Sequence, residues 1–336
     1  MIRKRVVLLL LVVLSAAFAV SCRSRAREVV VYLSIDQVFT EPILRDFERQ
    51  SGVKVRAVFD TEETKSTGVL NRVVAEAASP QADVFWSGDP VRPMLLVKRG
   101  LVRPYVSPNA AAIPPAFKAA DGSWTGGAAR ARLLLVNKNR VKPGELPRSV
   151  RDLADPRWKG QTAIANPLFG TTTMHVAALA DAWGDDALKD FLRQLKANGC
   201  RIASSNGEVK RLVAAGEVAF GLADTDDAAE ALHDGAPIAV VYPDQDGMGT
   251  LIMPTAVVPL AGPNPEEARR LVDFLVSAQA EQKLVDAASH IPLRPDVKPP
   301  AGGKRASEIK TMQVDYARIA GTMERLQPWL REWVGV

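Results

Sequence analysis

The sequence predicts an α/β protein of two lobes, each a mixed sheet flanked by helices, the lobes joined by two crossover strands. Three observations predict it. Residues 29–33 (VVVYL) form an unbroken apolar run rich in β-branched side chains, as expected of a strand covered on both faces. Strand, helix, strand, helix and strand then alternate as far as Trp86, the order of a parallel sheet with helices on its faces. The alternation restarts at Thr162, after an apolar stretch at 133–136 that would carry the chain out of the first lobe.

Taken in order, residues 41–50 set Ile43, Leu44 and Phe47 at helical spacing and stop before Gly52. Residues 53–59 alternate as a strand, 68–78 read as a helix, and 83–86 as a short buried strand. In the second half, 162–165, 218–222 and 238–242 are predicted strands, and 171–183, 186–198 and 208–214 predicted helices. The apolar stretches 133–136 and 251–258, bounded by Gly126, Gly127, Gly247 and Gly249, are the predicted crossovers. Helices at 266–274 and 280–287 return to lobe one. A terminal amphipathic segment over 311–333 interleaves acidic and basic residues, which suits lobe packing rather than a membrane. The division is a signal peptide at 1–21, a tether at 22–28, lobe one at 29–128 plus 256–336, and lobe two at 129–255.

The start of the chain points to export. Arg3, Lys4 and Arg5 precede an apolar run over 6–20, then Ser21 and Cys22. A basic segment, a short apolar segment and a small residue describe a secretory signal, too short to span a bilayer as a helix. Cys22 at the cut resembles a bacterial lipobox, which would acylate the thiol and anchor an exported, periplasmic or cell-surface protein to the membrane; an incidental cysteine after a plain signal is the other reading. Arg3, Lys4 and Arg5 of the signal account for three of the net charge of +5, so the basic balance is no argument for nucleic acid. With Cys22 acylated, Cys200 is the one thiol left, and no disulfide can form within the chain.

Enzyme motifs are absent. There is no G-x-S-x-G elbow and no G-x-x-x-x-G-K-[ST] loop, and His175, His233 and His290 are not at metal-ligand spacing. No cofactor is implied, and an exported lipoprotein hydrolase is the less favoured alternative to a binding protein.

Several segments resemble the type II periplasmic solute-binding proteins of ABC importers, and within them the ferric-ion-binding and 2-aminoethylphosphonate-binding proteins. Val31 and Tyr32 before a helix, Ser51-Gly52-Val53-Lys54-Val55, and Ala82-Asp83-Val84-Phe85-Trp86-Ser87 carry the likeness in the first part of the chain. Arg130-Ala131-Arg132, Pro156-Arg157-Trp158-Lys159-Gly160 and His290-Ile291-Pro292-Leu293-Arg294-Pro295 carry it in the rest. The resemblance implies a monomer that captures a small molecule or an ion between its lobes and delivers it to permease subunits.

It also implies where the ligand sits. Ferric-binding relatives hold the metal with two adjacent tyrosines, helped by a histidine and a glutamate; here Asp226 and Asp227 stand at the tyrosine pair, Asp36 at the histidine, and Gly88 beside Asp89 at the glutamate. A phenolate site for Fe(III) is therefore not expected. Gly170, Thr171 and Thr172 open one helix and Asn206 the next, where free N–H groups favour an anion. Thr61, Thr64, Lys65, Ser87 and Arg130 complete the expected set. Two readings follow. A small zwitterion such as an aminophosphonate would set its oxyanion at the helix ends and its ammonium against the aspartates. Alternatively, Asp36, Asp226 and Asp227 would hold a hard cation with a bound anion. The structural counterparts are plain helix capping by the threonines, a capped turn at 224–227, a surface contact for one of Arg130 and Arg132, and a core position for His175.

Overall fold

The computed structural model describes residues 27–60 and 68–336. The expected signal, Cys22, Thr61, Thr64 and Lys65 lie outside the described residues.

Lobe one begins with β1 (Glu28–Leu33), α1 (Gln37–Ser51), β2 (Lys54–Phe59), α2 (Gly68–Ala75), β3 (Val84–Ser87) and α3 (Pro93–Lys98). β1 pairs in parallel with β2 and with β3. Its residues are buried on both sides, as the apolar run requires: Val29, Val31 and Leu33 face Ile43, Leu44 and Phe47 of α1, and Val30 and Tyr32 face Val69, Leu70 and Val73 of α2. Each such valine or leucine contributes about 1.5–3 kcal/mol by leaving water. α1 ends where Gly52 turns left-handed (φ 64°) and returns its N–H to Glu48 O.

The first crossover is longer than its apolar stretch suggests, while the second matches its length. β4 (Thr125–Asn137) includes Gly126, Gly127, Arg130 and Arg132 as well as the predicted 133–136, and β9 (Ile252–Pro259) runs antiparallel to its first half. The register shifts between Gly126 and Ala129. Glycine is required there, because a Cβ on Gly126 would stand 2.6 Å from Phe117 O. The second half of β4 pairs with β7 (Phe220–Asp224) and β8 (Ile238–Val241).

Lobe two adds β5 (Thr162–Ala165), α4 (Gly170–Trp183), α5 (Asp185–Ala197), β6 (Arg201–Ala203), α6 (Asn206–Ala214) and α7 (Thr225–His233), with β5 parallel to β6 and β7. The strand order is β2-β1-β3-β9-β4-β7-β5-β6, with β8 on β4. Each lobe thus has a mixed sheet, as expected, and the two are continuous through the crossover strands. Two parallel three-stranded groups are joined by the antiparallel pair β9–β4, which stays hydrogen-bonded as it passes between lobes.

α8 (Pro265–Leu275) and α9 (Ala278–Ala288) cover lobe one, and α10 (Tyr316–Val334) ends the chain. Although α10 falls in the stretch read as lobe one, it packs on α4 and α5. Arg318 pairs with Asp181 at 3.0 Å, Thr322 Oγ1 donates to Asp181 at 2.8 Å, and Arg325 pairs with Asp185. Lys196 Nζ donates to Trp333 O at 2.8 Å, and Tyr316 donates to Ile252 O of β9 at 3.0 Å. Among the described residues, no helix is long and apolar enough to cross a membrane.

Candidate functional site

β4 carries Arg130 and Arg132 two residues apart, so both project from one face of the strand. Neither makes the surface contact considered from the sequence. Arg132 has a side-chain exposure of 0% and lies directly opposite Asp224 in the β4–β7 register. Its NH1 donates to Asp224 Oδ1 at 2.6 Å, Thr171 Oγ1 at 2.9 Å and Asn206 Oδ1 at 3.2 Å, and NH2 donates to Thr172 Oγ1 at 3.2 Å. Thr171 Oγ1 in turn donates to Asp224 Oδ2 at 2.8 Å, and Asn206 Nδ2 donates to Thr171 Oγ1 and Asp224 Oδ2 at 2.9 and 3.2 Å. The first turns of α4 and α6 are thereby tied to the end of β7.

The side chains of Thr171, Thr172 and Asn206 are engaged by Arg132 and Asp224, so these side chains line a closed network. Gly170 does open α4 at the surface, with φ 60° and clear space beyond its Cα. The adjacent Phe169, which sequence reading missed, is 67% exposed.

Arg130 joins the lobes. Its NH2 donates to Gly88 O, just past β3, at 3.0 Å, and its NH1 stands 3.6 Å from Asp224 Oδ2 and 3.9 Å from Asp226 Oδ2. Asp226 and Asp227 sit in the first turn of α7. Asp227 Oδ2 accepts from the Asp224 N–H at 3.1 Å, so the capped-turn reading holds for that residue. Asp226 keeps 43% of its side chain exposed. Burial raises the Asp226 carboxyl above its ordinary range and Asp224 adds to the effect, while Arg130 opposes it. Burial, then Asp226 and Asp224, push Asp227 up to about 7.

One oxygen each from Asp224, Asp226 and Asp227 lies within 4.8 Å of the others, the arrangement of a group that could hold a cation. Asp224 is the third member, in place of the expected Asp36. Asp36 stands instead at the start of α1, in a recess of about 450 Å³ formed with Ser34, Phe59 and Asp60. Ser87 and Asp89 are also better explained as structure. Ser87 Oγ accepts from Ser34 Oγ and from the Asp89 N–H, and Asp89 Oδ1 accepts from the N–H groups of Val91 and Arg92 at 2.9 and 3.0 Å. Burial alone would raise Asp89; its ion pair with Arg92 and these amides outweigh it and hold its pKa below the ordinary range.

Two buried histidines flank the arginines. His175 on α4 and His290 each leave Nδ1 without a partner. Burial, with Arg132 nearby, holds His175 well below its usual range; burial and Arg130 bring His290 down to about 3. Ile291 bridges Ala129, which sets His290 opposite Arg130; only this long-range pairing reveals it. No tyrosine joins the group: Tyr32 donates to Glu76, Tyr105 to Asp273 and Tyr316 to Ile252 O, and Tyr242 lies under Lys304.

Comparison with known proteins places this architecture. The model of the bacterial extracellular solute-binding protein family matches residues 79–319. Iron uptake protein A1 of Synechocystis sp. is 29% identical over 268 residues, covering 76% of this chain and 72% of that protein. A Salmonella typhimurium protein named "Putative 2-aminoethylphosphonate-binding periplasmic protein" is 24% identical over 336 residues, covering 96% of this chain and 92% of its own length. Among solved structures, a Bordetella ferric binding protein superposes with a TM-score of 0.76 at 29% identity, covering 92% of this chain and 98% of that one. The two-lobed fold is that of the type II periplasmic binding proteins, and the chain belongs to the bacterial extracellular solute-binding proteins.

Proposed function

We propose that this chain is the extracytoplasmic solute-binding component of an ABC importer and that it captures a small solute bearing both signs of charge. Arg130 meets the oxyanion, and Asp226 and Asp227 meet a cationic group; an aminophosphonate is the simplest such molecule. The observation that carries the reading is the placing of Arg130 within 4 Å of carboxylates at the joint between lobes, where burial first and neighbouring carboxylates second raise Asp226 and Asp227. An ammonium against this pair would let both ionise. The name of the Salmonella relative supports this cargo.

A second reading has its own support. The three-carboxylate group is a set of hard oxygen donors, and the Synechocystis and Bordetella relatives are named for iron. In that reading Asp226 and Asp227 take the place of phenolates, and an accompanying anion, held by Arg130, completes the shell around Fe(III).

Capture proceeds by closure of the lobes, read as 29–128 plus 256–336 and 129–255, about β4 and β9. Only contacts made better in the closed state drive it. The closed face then docks on permease subunits, the protein acting as a monomer and tethered through acylated Cys22. Binding without turnover is expected. Isothermal titration of the chain from Arg23 onward with 2-aminoethylphosphonate tests the reading. Saturable heat whose affinity weakens in Arg130→Gln supports it, and no heat at millimolar ligand contradicts it.

A further inference from the structure

Asp224 is a carboxylate at a place that favours an anion. The first turns of α4 and α6 meet there, and each helix start leaves N–H groups and partial positive charge without an intrahelical partner. A small anion from solution would be expected at such a junction. The junction is already filled. Asp224 Oδ1 takes the Arg132 guanidinium, and Oδ2 takes the Thr171 hydroxyl and the Asn206 amide. Asp224, Thr171 and Thr172 are all buried, and Arg132 is wholly so. Arg132 alone would set a positive charge against two positive helix ends; with Asp224 the pair is neutral.

We propose that Asp224 is the resident anion of lobe two. The chain supplies, with its own carboxylate, the negative charge that the α4 and α6 starts would otherwise draw from solution. This makes Asp224 and Arg132 determinants of specificity. They close the helix-end position to free phosphate, carbonate and the solute's oxyanion alike, and leave Arg130 as the group that meets the solute's negative end. That last consequence rests on the function proposed above. The resident-anion assignment does not, and it is tested in solute-free protein.

The test is thermal unfolding of the chain from Arg23 onward in sodium formate, against sodium chloride at equal ionic strength. Formate is used because it is the bare carboxylate. Asp224→Ala should melt several degrees below wild type, and formate should raise its midpoint saturably and by more than it raises wild type. Adding Arg132→Met to Asp224→Ala should reduce that extra response, leaving the part that the helix starts hold. Thr171→Val, which keeps Asp224 but removes one of its donors, should also melt several degrees low. An Asp224→Ala protein that gains nothing from formate beyond wild type overturns the assignment. Should Asp224→Ala fail to fold in either salt, Thr171→Val decides. A lowered midpoint supports the assignment, and a wild-type midpoint overturns it.

Discussion

Arg132 and Asp224 face each other as directly paired residues of β4 and β7, and their side chains meet at 2.6 Å with almost no exposure to water. A register pair in an antiparallel sheet puts both side chains on one face, so the backbone ladder itself brings the charges together. Thr171 and Asn206 then bond to both members, fixing the first turns of α4 and α6 around them. Asp226 and Asp227 follow in the first turn of α7, Asp226 Oδ2 lying 3.9 Å from Arg130 NH1.

Breaking this pair is expected to be costly. Arg132→Met leaves Asp224 buried without its main partner and should lower unfolding free energy by about 3–5 kcal/mol. Joining it to Asp224→Leu removes both charges and should recover a large part of that loss. Urea denaturation of the two variants checks the order; a double variant less stable than Arg132→Met would contradict it.

The α7 carboxylates predict an unusual pH dependence. Asp227 titrates at about 7 in the fold, against about 3.9 in an unfolded chain. Between those values the folded chain holds a proton that the unfolded chain has lost. Its contribution is therefore complete below about pH 4 and is lost as pH rises through about 7. Asp227→Asn keeps an acceptor for the Asp224 N–H but does not titrate. The wild-type midpoint should fall relative to this variant between about pH 5 and about pH 8. A constant difference would show that Asp227 ionises normally.

His290 has the opposite slope. Burial and Arg130 bring it to about 3, while an unfolded histidine titrates near 6.5. Its contribution is complete above about 6.5 and is lost as pH falls toward 3. His290→Gln should lose less stability than wild type on acidification from about pH 7 to about pH 4.5. Thermal melts at the two pH values are sufficient, and parallel losses would argue that the imidazole is not buried neutral.

Arg130→Gln should weaken the captured solute by roughly 10- to 100-fold, since a hydrogen bond to a charged group contributes about 1.5–3 kcal/mol. Titration calorimetry below the variant's melting range reads this directly. Unchanged affinity would remove Arg130 from the site.

Much of this was legible in the sequence for a physical reason. A strand buried on both faces must be apolar throughout, and Val29 to Leu33 are; helices over Ile43 to Phe47 and Leu188 to Leu195 show their buried stripe. β4 was legible only at Leu133–Val136, because its first half spends glycines on close approach and arginines on charge, which hides its strand character. α7 was hidden too, its opening aspartates reading equally well as a turn. Asp226 and Asp227 were singled out by position within a family pattern. Arg132 and Asp224 are 92 residues apart, and only the sheet register shows that they meet. The period of two between Arg130 and Arg132 was a usable signal, since it sends both to one face.

The central claim is that Asp226 and Asp227, with Arg130, form the capture site for a solute of both charges. Its most direct test is the thermal shift of the chain from Arg23 onward with 2-aminoethylphosphonate and, separately, ferric citrate. Both are read on wild type and on Asp226→Asn/Asp227→Asn. A ligand at 100 times its dissociation constant stabilises by about 2.7 kcal/mol, enough for a clear rise in Tm. The account predicts a saturable rise with the aminophosphonate in wild type and none in the double variant. A rise with ferric citrate alone, lost in the double variant, would keep the site and change its cargo to iron. A ligand-induced rise that survives loss of both carboxylates would contradict the claim.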